Sequence, residues 1–196
     1  VGGGRRSPID SVTYGTINLS TASKITVYEM SGTFQVDGVT TMTSPQSSWF
    51  ATNLDPARFR WISVPYSMDQ YPMSSSVATG VANLTNLINT TAGPFILVGY
   101  GIGAHIISDV YDELRSGSLA SRIGDFRAGL AFGNPRRQAR ITFPNCPDPG
   151  GHGLAANDLL TDSGSNWWEF AVPGDLVAID GDDTTGAEES TIFEKL

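Results

Sequence analysis

The chain has 196 residues, of which 40 % are hydrophobic and 16 % are charged. A chain of this size and composition can bury one hydrophobic core, so we expect a single domain. Its only cysteine, Cys146, can form no internal disulfide. The formal net charge is −8, whereas nucleic-acid-binding proteins concentrate Lys and Arg on one face. We therefore expect no nucleic-acid partner, and the basic cluster of Arg136, Arg137 and Arg140 is typical of a solvated or ion-paired surface.

The two ends of the chain differ in composition from its middle. Residues 1–23 are rich in Gly, Ser and Thr and hold few large apolar residues, which predicts an extended arm that lies on another surface. Residues 181–196 include a run of acids, which predicts a solvated tail. Thr191 stands where a calcium loop beginning at Asp180 would need its last acid, so we expect no metal there. The folded domain is predicted to span residues 24–180.

The middle of the chain alternates between strand-like and helix-like patterns. Residues 24–30 and 59–65 are rich in β-branched and aromatic residues, which predicts strands, and a helix is predicted to begin at Ser44-Pro45. Apolar residues recur at helical spacing over 74–89 and 102–115. Residues 94–98 form an uninterrupted apolar run, typical of a central strand covered on both faces, and 126–132 form a further predicted strand.

The last third of the domain has little periodicity. Residues 143–166 are rich in Pro, Gly, Asn and Asp, which predicts loops, and regular structure is expected again at 167–170 and 175–179. Strands and helices that alternate through short connections indicate an α/β fold with one doubly wound, mainly parallel sheet.

The junction from Val98 to His105 reads VGYGIGAH and joins a predicted buried strand to a predicted helix. In an α/β-hydrolase this junction holds the nucleophile elbow, G-x-S-x-G. Gly99 and Gly103 match its flanking glycines, which let the strand and helix backbones approach closely. Gly101 stands at the nucleophile position, and without a hydroxyl it can form no acyl-enzyme by the usual route.

Two other interpretations of these glycines are open. Gly99, Gly101 and Ala104 fit a dinucleotide fingerprint, in which backbone N–H groups at a helix start hold a pyrophosphate. That motif requires an acid at the end of the next strand, where this chain has Phe132-Gly-Asn-Pro. The interpretation that we favour is structural: Gly101 provides the positive φ that the elbow still needs once its serine is lost.

Six segments in order resemble the lysin B family, the esterases with which mycobacteriophages release mycolic acids from the host envelope, and which are related to cutinases. They are Val64-Pro-Tyr66 with Tyr71-Pro-Met-Ser74, Phe95-Ile-Leu-Val-Gly-Tyr-Gly-Ile-Gly-Ala104, Phe132-Gly-Asn-Pro-Arg-Arg-Gln138, Gly151-His-Gly-Leu154 and Trp168-Glu-Phe-Ala-Val-Pro-Gly-Asp-Leu-Val177. The resemblance spans roughly residues 24–180 and implies the cutinase type of α/β-hydrolase fold.

The resemblance also implies where the catalytic residues would stand. The family's nucleophile position falls on Gly101 and its triad acid on Asp175. Its triad histidine lies well downstream of that acid, beyond a lid-like insertion, and the sequence ends 21 residues after Asp175, so we expect the lid and the C-terminal part to be missing. The only histidines are His105, in the elbow helix, and His152, in a Gly-rich loop before the acid. We therefore expect a chain that is not an enzyme, with no cofactor.

The resemblance to phage esterases and the missing catalytic groups lead to three functional hypotheses. The first is a virion protein, located in the phage particle as a head decoration, head-associated or minor tail protein, with other virion proteins as partners. The second is a module that binds host envelope lipid or glycan, with Tyr100, Ile102, Trp167 and Trp168 as the candidate cleft or interface and Trp49 and Trp61 as further contacts. The third is a residual esterase that uses Ser74, Ser75 or Ser76, or a histidine from a second chain, although these serines are also expected to cap the following helix.

Overall fold

The computed structural model describes residues 24–32, 34–36, 39–41, 45–67, 73–175 and 177–179. The predicted arm, residues 1–23, and the predicted tail, residues 181–196, lie outside these ranges. In the described part, no helix has the length and apolar character needed to cross a membrane.

The described elements follow the predicted order, except that no helix or strand is described at 175–179, where Val177 and Ala178 lie in a turn. The strands are β1 (Ile25–Met30), β2 (Phe34–Val36), β3 (Val39–Thr41), β4 (Phe59–Ser63), β5 (Phe95–Tyr100), β6 (Phe126–Phe132) and β7 (Trp167–Phe170). The helices are α1 (Pro45–Asn53), α2 (Met73–Thr90) and α3 (Ile102–Ser116), and a short 3₁₀ helix, Ala120–Asp125, leads into β6. The antiparallel pair of β2 and β3 was not predicted, because each strand has only three residues and no periodicity can be read over so short a run.

The main sheet confirms the predicted α/β architecture. Its five strands are ordered β4-β1-β5-β6-β7, and every neighbouring pair is parallel. The chain passes from β1 to β4 on one side and then to β5 on the other, so the strand order reverses between β1 and β5. Ligands of open α/β sheets bind in the crevice at such a reversal, outside the carboxyl ends of the strands.

The two faces of this sheet are covered differently. Helices α2 and α3 pack together on one face, and α3 contacts β1, β5 and β6. Their apolar stripes bury Tyr28, Leu97 and Trp167 in the core. On the other face α1 makes contact through Phe50, whose ring lies 6.0 Å from that of Trp61 and 6.4 Å from that of Phe132.

Candidate functional site

The turn between β5 and α3 has the backbone shape of an elbow. Gly101 adopts φ 55° and ψ −118°, a conformation that L-residues adopt only under strain. Its N–H donates a 2.9 Å hydrogen bond to the carbonyl of Phe132, and its carbonyl accepts one from the N–H of His105 at 3.1 Å. The turn is therefore tied to the end of β6 on one side and to the first turn of α3 on the other.

The flanking glycines are required by close backbone contacts. A Cβ on Gly99 would lie 2.4 Å from the carbonyl oxygen of Gly103, and a Cβ on Gly103 would lie 1.9 Å from that of Met30. A Cβ on Gly101 would meet no atom within 4 Å. The fold thus excludes side chains at both flanks, whereas the position between them has room for one.

A cleft of about 290 Å³ lies beside this turn at the carboxyl ends of β5, β6 and β7. Tyr100, Phe132 and Phe170 form aromatic walls, and the last two rings stack with centroids 4.5 Å apart. Cys146 and Asp175 also line the cleft. The topology therefore places this cleft where an α/β sheet commonly binds its ligand.

Asp175 lies at the same edge of the sheet as Gly101. One of its carboxylate oxygens would stand 3.1 Å from a Cβ on Gly133, the residue after Phe132. The other accepts hydrogen bonds from the N–H groups of Val177 and Ala178, at 3.1 and 3.3 Å. The carboxylate therefore caps a turn, a role that requires no catalysis.

Neither histidine lines the cleft among the described residues. His105 lies on α3 with its Nε2 3.5 Å from Asp109 Oδ1. Burial, and then the positive charge of Arg136, lower the pKa of His105 to about 4. The Nδ1 of His152 lies 2.8 Å from the carbonyl of Gly153, in a loop whose backbone packs against Pro135.

A cluster of acids on α3 and in the loop around Asp158 holds an arginine. The guanidinium of Arg136 donates to Asp109, Asp112 and Asp158 at 2.7, 2.8 and 2.9 Å. The potential ligand atoms of His105, Asp109 and Asp158 lie within 4.8 Å of one another. Asp109 and Asp158 each direct one carboxylate oxygen to Arg136, and we assign no metal ion to this cluster.

Both neighbouring arginines are buried, which corrects the expectation of a surface cluster. Arg136 is 4 % exposed and Arg137 is fully buried, while Arg140 is exposed. Arg137 donates from Nε to the carbonyl of Ala178 at 2.7 Å and from Nη2 to that of Gly151 at 3.0 Å. These partners lie far along the chain, so the sequence gives no local signal for this burial.

A buried carboxyl in the lining of the cleft was also not predicted. Glu169 is 2 % exposed, and its Oε1 accepts hydrogen bonds from Trp167 and Asn134 at 2.8 and 2.9 Å. Its Oε2 has no hydrogen-bond partner among the described residues. Burial raises the pKa of Glu169 to about 7, because the charged form loses its hydration.

The four residues predicted for a cleft or interface occupy different environments. Tyr100 lines the cleft, whereas Ile102 is half-buried and packs on the core. Trp167 is only 3 % exposed and stacks on Tyr111 at 4.8 Å, so it belongs to the core. Trp168 is half-buried, with its ring 6.2 Å from that of Phe143.

The further candidates are spread over the molecule. Trp49 is 61 % exposed, and half-buried Trp61 stacks on Phe50. The three serines of 74–76 lie within the first turn of α2, which begins at Met73 rather than after them. The structure therefore does not group the tryptophans or these serines around Gly101.

The strand order and the elbow define an α/β-hydrolase fold of the cutinase type. Solved structures that resemble the chain include the following two. One is lysin B from Mycobacteriophage D29, with TM-score 0.67 and 21 % identity over 87 % of this chain and 74 % of that one. The other is a cutinase-like protein from Cryptococcus sp., with TM-score 0.62 and 17 % identity over 88 % and 89 %. No protein-family model and no curated protein sequence matches the chain.

Proposed function

We propose that this chain is a non-catalytic relative of lysin B that serves as a structural protein of a phage particle, on its head or its tail. The observation that carries the proposal is Gly101. It has the strained backbone conformation of a nucleophile elbow and room for a side chain, yet it supplies no nucleophile. The structure of the turn is thus kept without the group that would react.

The other polar groups of the cleft do not form a replacement for the triad. Acyl transfer needs a nucleophile within hydrogen-bond reach of a base, and a third group that orients the base. Thr142, Cys146, Glu169 and Asp175 line the cleft, but neither histidine does so in the described part of the chain. Ser74, Ser75 and Ser76 lie on α2, and Ser74 faces a different cavity.

The variant Gly101→Ser tests whether serine is the only catalytic group that the chain lacks. We expect it to hydrolyse no p-nitrophenyl butyrate above the buffer rate, because a restored hydroxyl would still lack a base. Turnover by this variant alone would mean that a working acid and base survive. The chain would then retain every working catalytic group except the nucleophile, contrary to the proposal.

Association with particles tests the structural role. Phage particles from the source lysate would be purified on a density gradient and probed with an antibody raised against this chain. We expect the chain to co-sediment with the particles at a fixed number of copies and to resist a high-salt wash. A chain found only in the soluble fraction would contradict the role in the virion.

The cleft favours a second function, the binding of an envelope glycolipid or glycan. Its stacked rings, Phe132 and Phe170, and the neighbouring Tyr100 form an aromatic surface against which an acyl chain or the apolar face of a sugar can pack. We expect Phe170→Ala to weaken binding of a mycolate-type glycolipid, and Trp49→Ala, outside the cleft, to leave it unchanged. Equal binding by both variants would count against this function.

A further inference from the structure

A larger cavity, of about 460 Å³, lies between α2 and α3 and shares no lining residue with the cleft beside the elbow. Ligand pockets commonly have volumes of a few hundred Å³ and apolar walls with a few convergent polar groups. Five apolar side chains line this cavity: Met73, Val77, Ala78, Val81 and Ala155. Its size and its walls therefore suit a small molecule with an aliphatic part.

The two carboxylates of this cavity offer hydrogen-bond acceptors, and Ser74, His105 and Asn157 complete its polar lining. Asp109 and Asp158 each direct one carboxylate oxygen to Arg136, at 2.7 and 2.9 Å. The second oxygen of each accepts no hydrogen bond from the described residues. Arg136, in turn, directs its Nε to the carbonyl of Asp158 at 2.6 Å and both of its terminal nitrogens to carboxylates. A ligand that donates hydrogen bonds fits this polar end better than one that accepts them.

The charges at the polar end also favour a cation. Three aspartates, Asp109, Asp112 and Asp158, surround the guanidinium of Arg136, and Arg115 pairs with Asp112. Three carboxylates against two guanidinium groups leave one negative charge in excess. His105 adds no positive charge at neutral pH, because its pKa is lowered to about 4.

We propose that this cavity binds a short primary alkylamine, with its aliphatic chain along α2 and its ammonium group against the carboxylates of Asp109 and Asp158. The ammonium group would donate to the oxygens that accept no hydrogen bond from the described residues. The chain would bury its apolar surface against Val77, Ala78 and Val81. This site lies outside the cleft, and its occupation does not depend on the proposed structural role.

The affinity is expected to rise with pH between pH 5 and 7. Burial raises the pKa of Asp109 to about 6, against the opposing effect of Arg136 and with smaller contributions from Asp158 and Asp112. An ammonium ligand binds the ionised carboxylate better, and a primary amine stays protonated throughout this range because its pKa is about 10.4. His105, the other titratable group in contact with Asp109, is neutral over the same range.

Isothermal titration calorimetry on the full chain tests the site, with hexylammonium, hexanol and hexanoate as ligands that share one chain and differ in the head group. We expect hexylammonium to bind with Kd of about 1 mM and hexanol at least about tenfold more weakly, the equivalent of about 1.4 kcal/mol. Hexanoate should show no saturable binding. Equal affinities for the three ligands, or no saturation by hexylammonium, would overturn the proposal.

Two variants at exposed positions locate the binding. Asp158→Asn removes one carboxylate and should weaken hexylammonium binding about tenfold, while Ala78→Phe fills the cavity and should abolish it. Asp162→Asn is the matched control, since Asp162 is also exposed but does not line the cavity. Circular dichroism would establish that each variant is folded. Binding that is unchanged in both Asp158→Asn and Ala78→Phe would contradict the assignment.

Discussion

The flanks and the middle of the elbow differ in what the fold demands of them. At Gly99 and Gly103 an added Cβ would lie within 2.4 Å of a backbone oxygen, so packing alone requires glycine. At Gly101 there is room for a side chain, and only the backbone conformation favours glycine. Packing at Gly99 and Gly103 can therefore preserve the shape of the elbow without any catalytic function, because neither residue takes part in chemistry.

The strongest test of this difference is Gly103→Ala. We expect it to lower the free energy of unfolding by at least about 3 kcal/mol, since the new methyl group would overlap the carbonyl of Met30 and force α3 away from the sheet. Urea denaturation would measure the change. Gly124→Ala is the control, because a Cβ there meets nothing within 4 Å. Similar losses in the two variants would show that the close contact with β1 is unimportant.

Glu169 should make the stability depend on pH. Its pKa is raised from an ordinary 4.5 to about 7 in the folded chain, so the folded state retains a proton that the unfolded state has released. The stabilisation from this retained proton is fully present below pH 4.5 and is lost as the pH rises to about 7. The free energy of unfolding falls by about 3 kcal/mol in total over this range.

The matched variant Glu169→Gln isolates this effect, because glutamine stays neutral at every pH. We expect the stability difference between native chain and variant to change by about 3 kcal/mol between pH 4.5 and 8, with the native chain losing more. Thermal or urea denaturation at several pH values would measure it. A difference that does not vary with pH would mean that Glu169 titrates normally.

Gly101→Ala should have a smaller effect than Gly103→Ala, which sharpens the contrast between the middle and the flanks. The side chain fits without contact, so the cost is the backbone strain of a positive φ, about 1 to 3 kcal/mol. Urea denaturation of Gly101→Ala and Gly103→Ala would rank their losses in the free energy of unfolding. The reverse ranking would mean that the backbone conformation of Gly101 contributes more to stability than the close packing at Gly103.

Asp175→Ala should have the smallest effect, about 1 kcal/mol, because it removes two hydrogen bonds to the turn at Val177 and Ala178. Asp175→Asn keeps an acceptor oxygen and should cost less. The two variants are compared by thermal denaturation. A larger loss with asparagine than with alanine would show that the charge, rather than the cap, matters at this position.

Much of the fold could be predicted from the sequence because its main elements have clear periodicity. The central strand and α3 follow from an apolar run and from helical spacing, and the elbow follows from Gly99 and Gly103. The β2 and β3 pair was missed, although Asp37-Gly38 between them is a dipeptide typical of hairpin turns. The predictions for residues 1–23 and 181–196 stay predictions.

The polar interior could not be predicted in the same way. Arg136 is buried by Asp109, Asp112 and Asp158, which are 27, 24 and 22 residues away. Such pairs form only when the chain has folded, and a basic run in sequence is more often on the surface. Glu169 was likewise part of a recognised segment, but its burial depends on Asn134, which follows a different strand.

The most direct test of the central claim is hydrolysis of p-nitrophenyl butyrate by the native purified chain, with an active cutinase as the positive control. The absence of a serine at Gly101, and of a histidine from the described lining of the cleft, predicts a rate equal to that of buffer alone. A saturable rate that rises in proportion to the concentration of the chain, and that survives further purification, would contradict the account. It would mean that another residue of this chain supplies the nucleophile.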